Sequence, residues 1–199
     1  MEVAQGLGDR VVVGGLSMGG SVAAWLGLRR PEVTVALSIA PVLSPLPGLI
    51  AVNRLAAFLL RVMPNRMVWW DPKGRESLAG PSQAYYRYAT RGMASILAMG
   101  FSFAAAASRQ GPACGAFRFF LNDNDEALSN TLADRIAGRW KSRGVKNAAV
   151  VRLSREQGFM HDFIDPDQPY QRVDLAYPLL MDAITEALDA STDPPRAGG

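Results

Sequence analysis

The sequence predicts an α/β fold built on a parallel sheet. Three observations carry this reading. Short runs rich in β-branched or aromatic residues recur at Val11–Val13, Val33–Ala40, Ala116–Leu121 and Ala148–Leu153. Stretches with helical spacing lie between several of them, and glycines and prolines mark the joints. Strands alternating with helices are the pattern of a sheet covered by helices on its faces. The chain has 199 residues, 49% hydrophobic and 20% charged, which suits a globular domain with a real core and excludes a disordered or collagen-like chain.

Each element has its own signal. Glu2–Leu7 reads as the end of a helix. Val11-Val12-Val13 is too apolar for a half-exposed strand and is expected to be buried on both faces. Gly14–Gly20 forms a glycine-rich turn, and Ser21–Arg30 a helix that stops before Pro31. Val33–Ala40 is a second buried strand, closed by Pro41, and Ala116–Leu121 a third. Glu126–Arg143 has helical spacing, with Leu128, Leu132, Ile136 and Trp140 four apart and Gly144 as a C-terminal stop. Ala148–Leu153 is a fourth strand, and Leu175–Leu188 a final helix started or interrupted at Pro178.

The alternation breaks between Pro41 and Pro112. That stretch holds Trp69, Trp70, Tyr85, Tyr86 and Tyr88, with apolar helices near Leu49–Val62 and Met93–Ala107. It reads as a mostly helical cap inserted between two strands. The expected division is a core over 1–44 and 112–190, a cap over 45–111, and a small, polar, Pro-rich disordered tail over 191–199. Gly92–Ser108 is free of charge but shorter than the roughly 20 residues of a spanning helix, so a buried helix lining a pocket is expected rather than an integral membrane segment.

Charge and cysteine usage exclude several classes. The net charge is +3, and the longest basic run is Arg29-Arg30, so no nucleic-acid footprint is present. A single cysteine, Cys114, excludes an internal disulfide framework and a multi-cysteine metal site. Nothing in Met1–Arg10 has the pattern of a signal peptide, and a cytoplasmic location is expected.

The residues with chemistry are few. Gly15-Leu16-Ser17-Met18-Gly19 is a G-x-S-x-G motif between a β-branched strand and a helix, the setting of a nucleophile elbow. The glycines are expected where the turn leaves no room for a Cβ. The Met18 amide, at the helix N-terminus, is placed to bind a developing oxyanion. A serine hydroxyl needs a base. His161 is the only histidine, and it follows the fourth strand, where α/β sheets place their sites. An acid to orient it should lie after the third strand, where Asp123, Asp125 and Glu126 stand. Capping a helix and orienting His161 are competing uses of one carboxylate, so Asp123 and Asp125 are expected to divide them.

The order Ser, Asp, His and the strand–turn–helix setting resemble the α/β-hydrolase superfamily, in particular its capped esterase, lipase and serine-peptidase-like branch. Gly14–Gly20 resembles the elbow, Leu121–Leu128 the acid loop, and Gly158–Phe163 the histidine loop. The resemblance favours Asp125 as the acid and implies a triad of Ser17, Asp125 and His161. It implies an α/β-hydrolase core with an inserted cap, hydrolysis of a carboxylic ester through an acyl-enzyme, and no metal or organic cofactor. Leu16, Trp69, Trp70 and Phe101 are the expected contacts for a hydrophobic acyl or alkyl group. An acyltransferase, thioesterase or peptidase on the same triad, or a catalytically silent fragment, are the alternatives.

The superfamily's sheet has several strands before the elbow strand, whereas only ten residues precede Val11. The chain therefore resembles the C-terminal part of such a hydrolase, without the loop that supplies the second oxyanion N–H. An open apolar strand edge at Val11 is expected to favour self-association.

Overall fold

A computed structural model describes residues 2–43, 50–69, 86–169 and 171–191. Trp70, Tyr85 and the tail beyond Ser191 lie outside the described residues. In chain order the elements are α1 (Glu2–Leu7), β1 (Val12–Leu16), α2 (Met18–Arg29), β2 (Val35–Ile39), α3 (Ile50–Val62), β3 (Met67–Trp69) and β4 (Arg87–Ala89). Then follow α4 (Thr90–Ala107), β5 (Ala116–Asn122), α5 (Thr131–Ser142), β6 (Ala148–Leu153) and α6 (Val173–Ser191).

The fold is α/β, as the alternation predicts. Four parallel strands form one sheet in the order β1-β2-β5-β6. Leu16, Ile39, Phe120 and Val151 stand level across it. A parallel sheet needs cover on both faces. One face packs Phe117, Phe119 and Leu121 against α2, α4 and α5. The other packs Leu37, Ile39 and Phe120 against α6 and the 159–163 loop. Every residue of β2 is buried, because β2 has a strand on each side and helices above and below.

Several boundaries differ from expectation for physical reasons. β1 is an edge strand, with Val12 and Gly14 exposed, so its apolar run is not buried on both faces. The glycine-rich turn is itself helical from Met18 on, which starts α2 three residues before Ser21. α5 begins at Thr131 rather than Glu126, because 126–130 is spent on a turn organised by Asp125. α6 runs through Pro178 and continues to Ser191, one residue into the stretch read as tail.

The segment between β2 and β5 contains α3, α4 and the antiparallel pair β3–β4, in which Val68 faces Tyr88. The uncharged run at 92–108 lies in α4, whose Ala94, Leu97, Gly100, Phe103 and Ala107 are buried. Among the described residues no helix is long and apolar enough to cross a membrane. α4 approaches the backbone after β2 closely. A Cβ on Gly100 would lie 2.8 Å from the Val42 carbonyl oxygen.

Trp140 of α5 ties this arrangement together. It is buried among Phe103, Phe117 and Phe119, its ring edge-on to Phe117 at 5.2 Å. Its indole N–H donates to the carbonyls of Ala107 and Gln110, both at 2.9 Å. Trp140→Phe keeps most of the apolar volume but strands those carbonyls. It should lower the unfolding free energy by about 1–3 kcal/mol, read as a shift of the denaturant midpoint in circular dichroism.

Candidate active site

The site is assembled at the C-terminal ends of the parallel strands. Ser17 is the first residue after β1 and precedes α2. Its backbone has φ 57° and ψ −115°, a conformation that costs a non-glycine residue about 1–3 kcal/mol. Hydrogen bonds hold it there. The Ser17 N–H donates to the Ile39 carbonyl at 2.9 Å, and the Ser17 carbonyl accepts from Ser21 N–H and Val42 N–H at 3.1 and 3.2 Å. Two buried hydroxyls rivet the turn from below. Ser21 Oγ donates to the Val42 carbonyl and Ser38 Oγ to the Gly20 carbonyl, each at 2.9 Å.

The Ser17 side chain does not cap α2. The first intrahelical bond is that from Ser21 to Ser17, so the amides of Met18, Gly19 and Gly20 have no acceptor within the helix. They lie at the positive end of the helix dipole. Met18 itself is exposed.

The glycine requirement falls on different residues than the motif suggests. A Cβ on Gly15 would lie 2.4 Å from the Gly19 backbone, and one on Gly20 would lie 2.5 Å from the Ile39 carbonyl oxygen. A Cβ on Gly19 would meet nothing within 4 Å. The tight positions are therefore Gly15 and Gly20.

Asp125 follows β5 and is paired with His161. The His161 Nδ1 is 2.7 Å from Asp125 Oδ2. The Asp125 side chain is 1% exposed and that of His161 20%. The other carboxylate oxygen, Oδ1, accepts the amides of Ala127 and Leu128 at 2.8 and 3.0 Å. One carboxylate thus serves both uses that the sequence reading set against each other: one oxygen organises the turn and the other takes the imidazole. Asp123 is engaged elsewhere, 2.8 Å from Arg152, which also pairs with Asp134.

The histidine loop is pinned on both sides of His161. Gly158, at φ 67°, turns the chain out of a short 3-10 turn at Arg155–Gln157. Phe159 and Phe163 are then buried with ring centroids 5.2 Å apart. Two asparagines that the sequence reading passed over clamp the loop to the acid loop. Buried Asn122 donates through Nδ2 to the carbonyls of Phe159 and Met160 at 2.9 and 3.2 Å. Asn124 Nδ2 donates to the Phe159 carbonyl at 3.1 Å, and its amide returns to Asn122 Oδ1 at 2.9 Å. Their only signal in the sequence is position, two amides alternating with the acids of one loop.

Burial alone would push the His161 imidazole below its ordinary value. The hydrogen bond and charge of Asp125, with the charge of Asp162, outweigh it and leave His161 raised. Asp162 Oδ1 is 4.0 Å from Nε2, on the opposite side of the ring from Asp125.

The four residues expected to contact substrate have different surroundings. Leu16 packs, partly buried, on the cluster containing Phe159 and Phe163. Phe101 packs on a third cluster of Val42, Ala57 and Leu97, to which Leu128 also belongs. Trp69 lies under the Arg87 guanidinium, 5.1 Å from its centroid. Trp70 is outside the described residues.

Two measurements check this account. Gly15→Ala should destabilise the protein, whereas Gly19→Ala should leave stability unchanged or raise it by up to about 1 kcal/mol, the helix preference for alanine. Equal loss in both variants would refute the packing assigned to the elbow. His161 is the only histidine, so its NMR titration is unambiguous. Asp125→Asn should move that titration to lower pH. A raised native value stabilises the fold below the ordinary histidine value and loses that contribution as pH rises through the native one. The variant should therefore lose stability mainly on the acid side.

No family model and no curated protein matches the sequence. Solved structures do match the fold. A monoacylglycerol lipase from Paleococcus ferrophilus superposes with a TM-score of 0.65 at 16% identity, over 95% of this chain and 72% of that one. A soluble variant of monoglyceride lipase from Saccharomyces cerevisiae does so at 0.61 and 13%, over 90% and 64%. An α/β hydrolase from Penicillium sp. sh18 gives 0.59 and 12%, over 91% and 63%. The chain thus spans about two-thirds of the length of these proteins. The chain shares the fold of these proteins, one of them an α/β hydrolase, with its four-stranded parallel sheet as the core.

Proposed function

We propose that the chain is a serine hydrolase acting on carboxylic esters with a hydrophobic acyl or alkyl group. The observation that carries this is the 2.7 Å pair of Asp125 and His161, which follow β5 and β6 at the same end of the parallel sheet where Ser17 follows β1 in a forced positive-φ turn. A turn of that cost, with a hydroxyl unused for capping, is the arrangement a nucleophile needs. Ester hydrolysis is also in keeping with the lipolytic proteins among the similar folds.

In this reading Ser17 Oγ attacks the acyl carbonyl carbon while its proton passes to His161 Nε2. Asp125 holds the Nδ1 proton and stabilises the imidazolium. The carbonyl oxygen takes up the negative charge against the Met18 amide. The tetrahedral adduct collapses, His161 gives its proton to the leaving alcohol, and the acyl group stays on Ser17. Water, deprotonated by His161, then attacks the acyl-enzyme and frees the acid and Ser17.

The apolar preference rests on one feature. Val42, whose amide bonds the Ser17 carbonyl, belongs to the same cluster as Leu128, whose amide bonds Asp125. That cluster, with Leu97 and Phe101, joins the nucleophile and acid loops to the inserted helices, where an acyl chain would lie.

The test is a p-nitrophenyl ester series from acetate to longer acyl chains. The native chain should hydrolyse it, and Ser17→Ala should reduce the rate by about 10³-fold or more. The acid limb of kcat/KM should fall above the ordinary histidine value of about 6.5, since the neutral imidazole is the base. Folded native protein with no Ser17-dependent turnover, and no labelling by a fluorophosphonate, would overturn the proposal.

A further inference from the structure

Two carboxylates act on His161, and the proposed triad uses only one of them. Asp125 lies at Nδ1, is almost wholly buried, and is spent on the imidazole and on two backbone amides. Asp162 lies at the other nitrogen. Its Oδ1 is 4.0 Å from Nε2, and its side chain is 48% exposed.

Little else employs the Asp162 carboxylate. Its Oδ2 accepts one long bond, 3.5 Å, from Gln168 Nε2. The turn that holds the residue uses backbone instead, with Asp165 N–H donating to the Asp162 carbonyl at 3.3 Å and the neighbouring Phe163 buried. Among the described residues no Arg or Lys pairs with it, whereas Arg152 pairs with Asp123 and Asp134, and Arg172 with Asp174. Nor is it a second orienting acid. At 4.0 Å it is beyond a hydrogen bond to Nε2, so it leaves that nitrogen available while charging the space beside it.

Its reach follows from the chemistry. In the proposed reaction the leaving alcohol takes its proton from Nε2, so the alcohol oxygen comes within about 3 Å of that nitrogen. Asp162 Oδ1 is 4.0 Å from the same atom. Oxygen and carboxylate are then at most about 7 Å apart, inside the Debye length of about 8 Å at physiological salt. The acyl group does not share this constraint, since it stays on Ser17 when the alcohol leaves.

We propose that Asp162 sets specificity for the leaving group: it favours esters whose alcohol carries a cationic group a few bonds from the ester oxygen, and it disfavours anionic alcohols. The proposal rests on the hydrolase reading above and adds the charge of the alcohol to the apolar acyl group. Water screens a carboxylate exposed to this degree, so the preference is moderate, about fivefold.

The test uses butanoate esters of three alcohols of equal length, ending in trimethylammonium, tert-butyl or sulfonate. Rates are compared at a pH above the His161 titration of every protein used, so that one form of the imidazole is measured. Asp162→Asn should lower the cationic-to-neutral ratio of kcat/KM about fivefold and raise the anionic-to-neutral ratio by a similar factor. Asp162→Ser removes the same charge and should give the same ratios. Asp162→Glu keeps the charge and should keep the native ranking. High salt should shrink the native ratios toward those of Asp162→Asn. The His161 NMR titration should move to lower pH in Asp162→Asn, because a facing carboxylate has been lost. A merely structural role for Asp162 would leave the charge ratios where they are. Ser17-dependent turnover with ratios that neither Asp162→Asn nor Asp162→Ser alters would overturn this proposal and leave the hydrolase reading standing. A His161 titration unmoved in Asp162→Asn would also overturn it. No Ser17-dependent turnover of any of the three esters would overturn the hydrolase reading, and this proposal with it.

Discussion

The parallel ladder does not stop where the strands stop, and the rest of the site depends on that. Ser17 N–H bonds the Ile39 carbonyl, Ala40 N–H the Phe120 carbonyl, and Asp123 N–H the Leu153 carbonyl, each at 2.9 Å. Each bond is made by the residue just beyond one strand to a carbonyl near the C-terminal end of the next, in the order β1-β2-β5-β6. The loops that carry Ser17, Asp125 and His161 therefore leave the sheet from a common, hydrogen-bonded rim. A positive φ at both Ser17 and Ala40 is tolerated because this rim leaves neither residue free to relax.

Around the rim, polar groups are allotted without conflict. Arg152 pairs with Asp123 and Asp134, which leaves Asp125 as the buried acid for His161. Asn122 and Asn124 spend their amides on the backbone of the histidine loop. Among the described residues no buried side-chain nitrogen or oxygen lacks a partner. Such a network fixes one arrangement of two loops that are 36 residues apart in sequence, as far as Asp125 is from His161.

What could be read from the sequence was local. The strand–turn–helix around Ser17, the single histidine after the last strand, and the acids after the third strand are each legible from neighbours in the chain. What could not be read depends on distant partners. Glu126–Asn130 continues the helical spacing of Leu132, Ile136 and Trp140, but Asp125 claims the amides there and Leu128 turns to the cluster of Val42. Val12 has the composition of a buried strand, and its exposure follows from strand order alone. Gly15 and Gly20 are indispensable because of what faces them, Gly19 and Ile39, and composition does not encode that. Asn122 carries no periodic or motif signal, since its role exists only once β5 and the histidine loop are adjacent.

Cys114 lies just before β5, 1% exposed, and burial pushes its thiol up to about 12 from an ordinary 9.0. The thiolate is the form that reacts, and burial disfavours it. The native protein is in effect silent to thiol reagents. A cysteine placed on its surface would be the sole chemical address for a fluorophore, a spin label or a crosslinker. The buried thiol in turn becomes a counter of unfolding, since it answers a reagent only when the interior between α4 and the sheet has come apart.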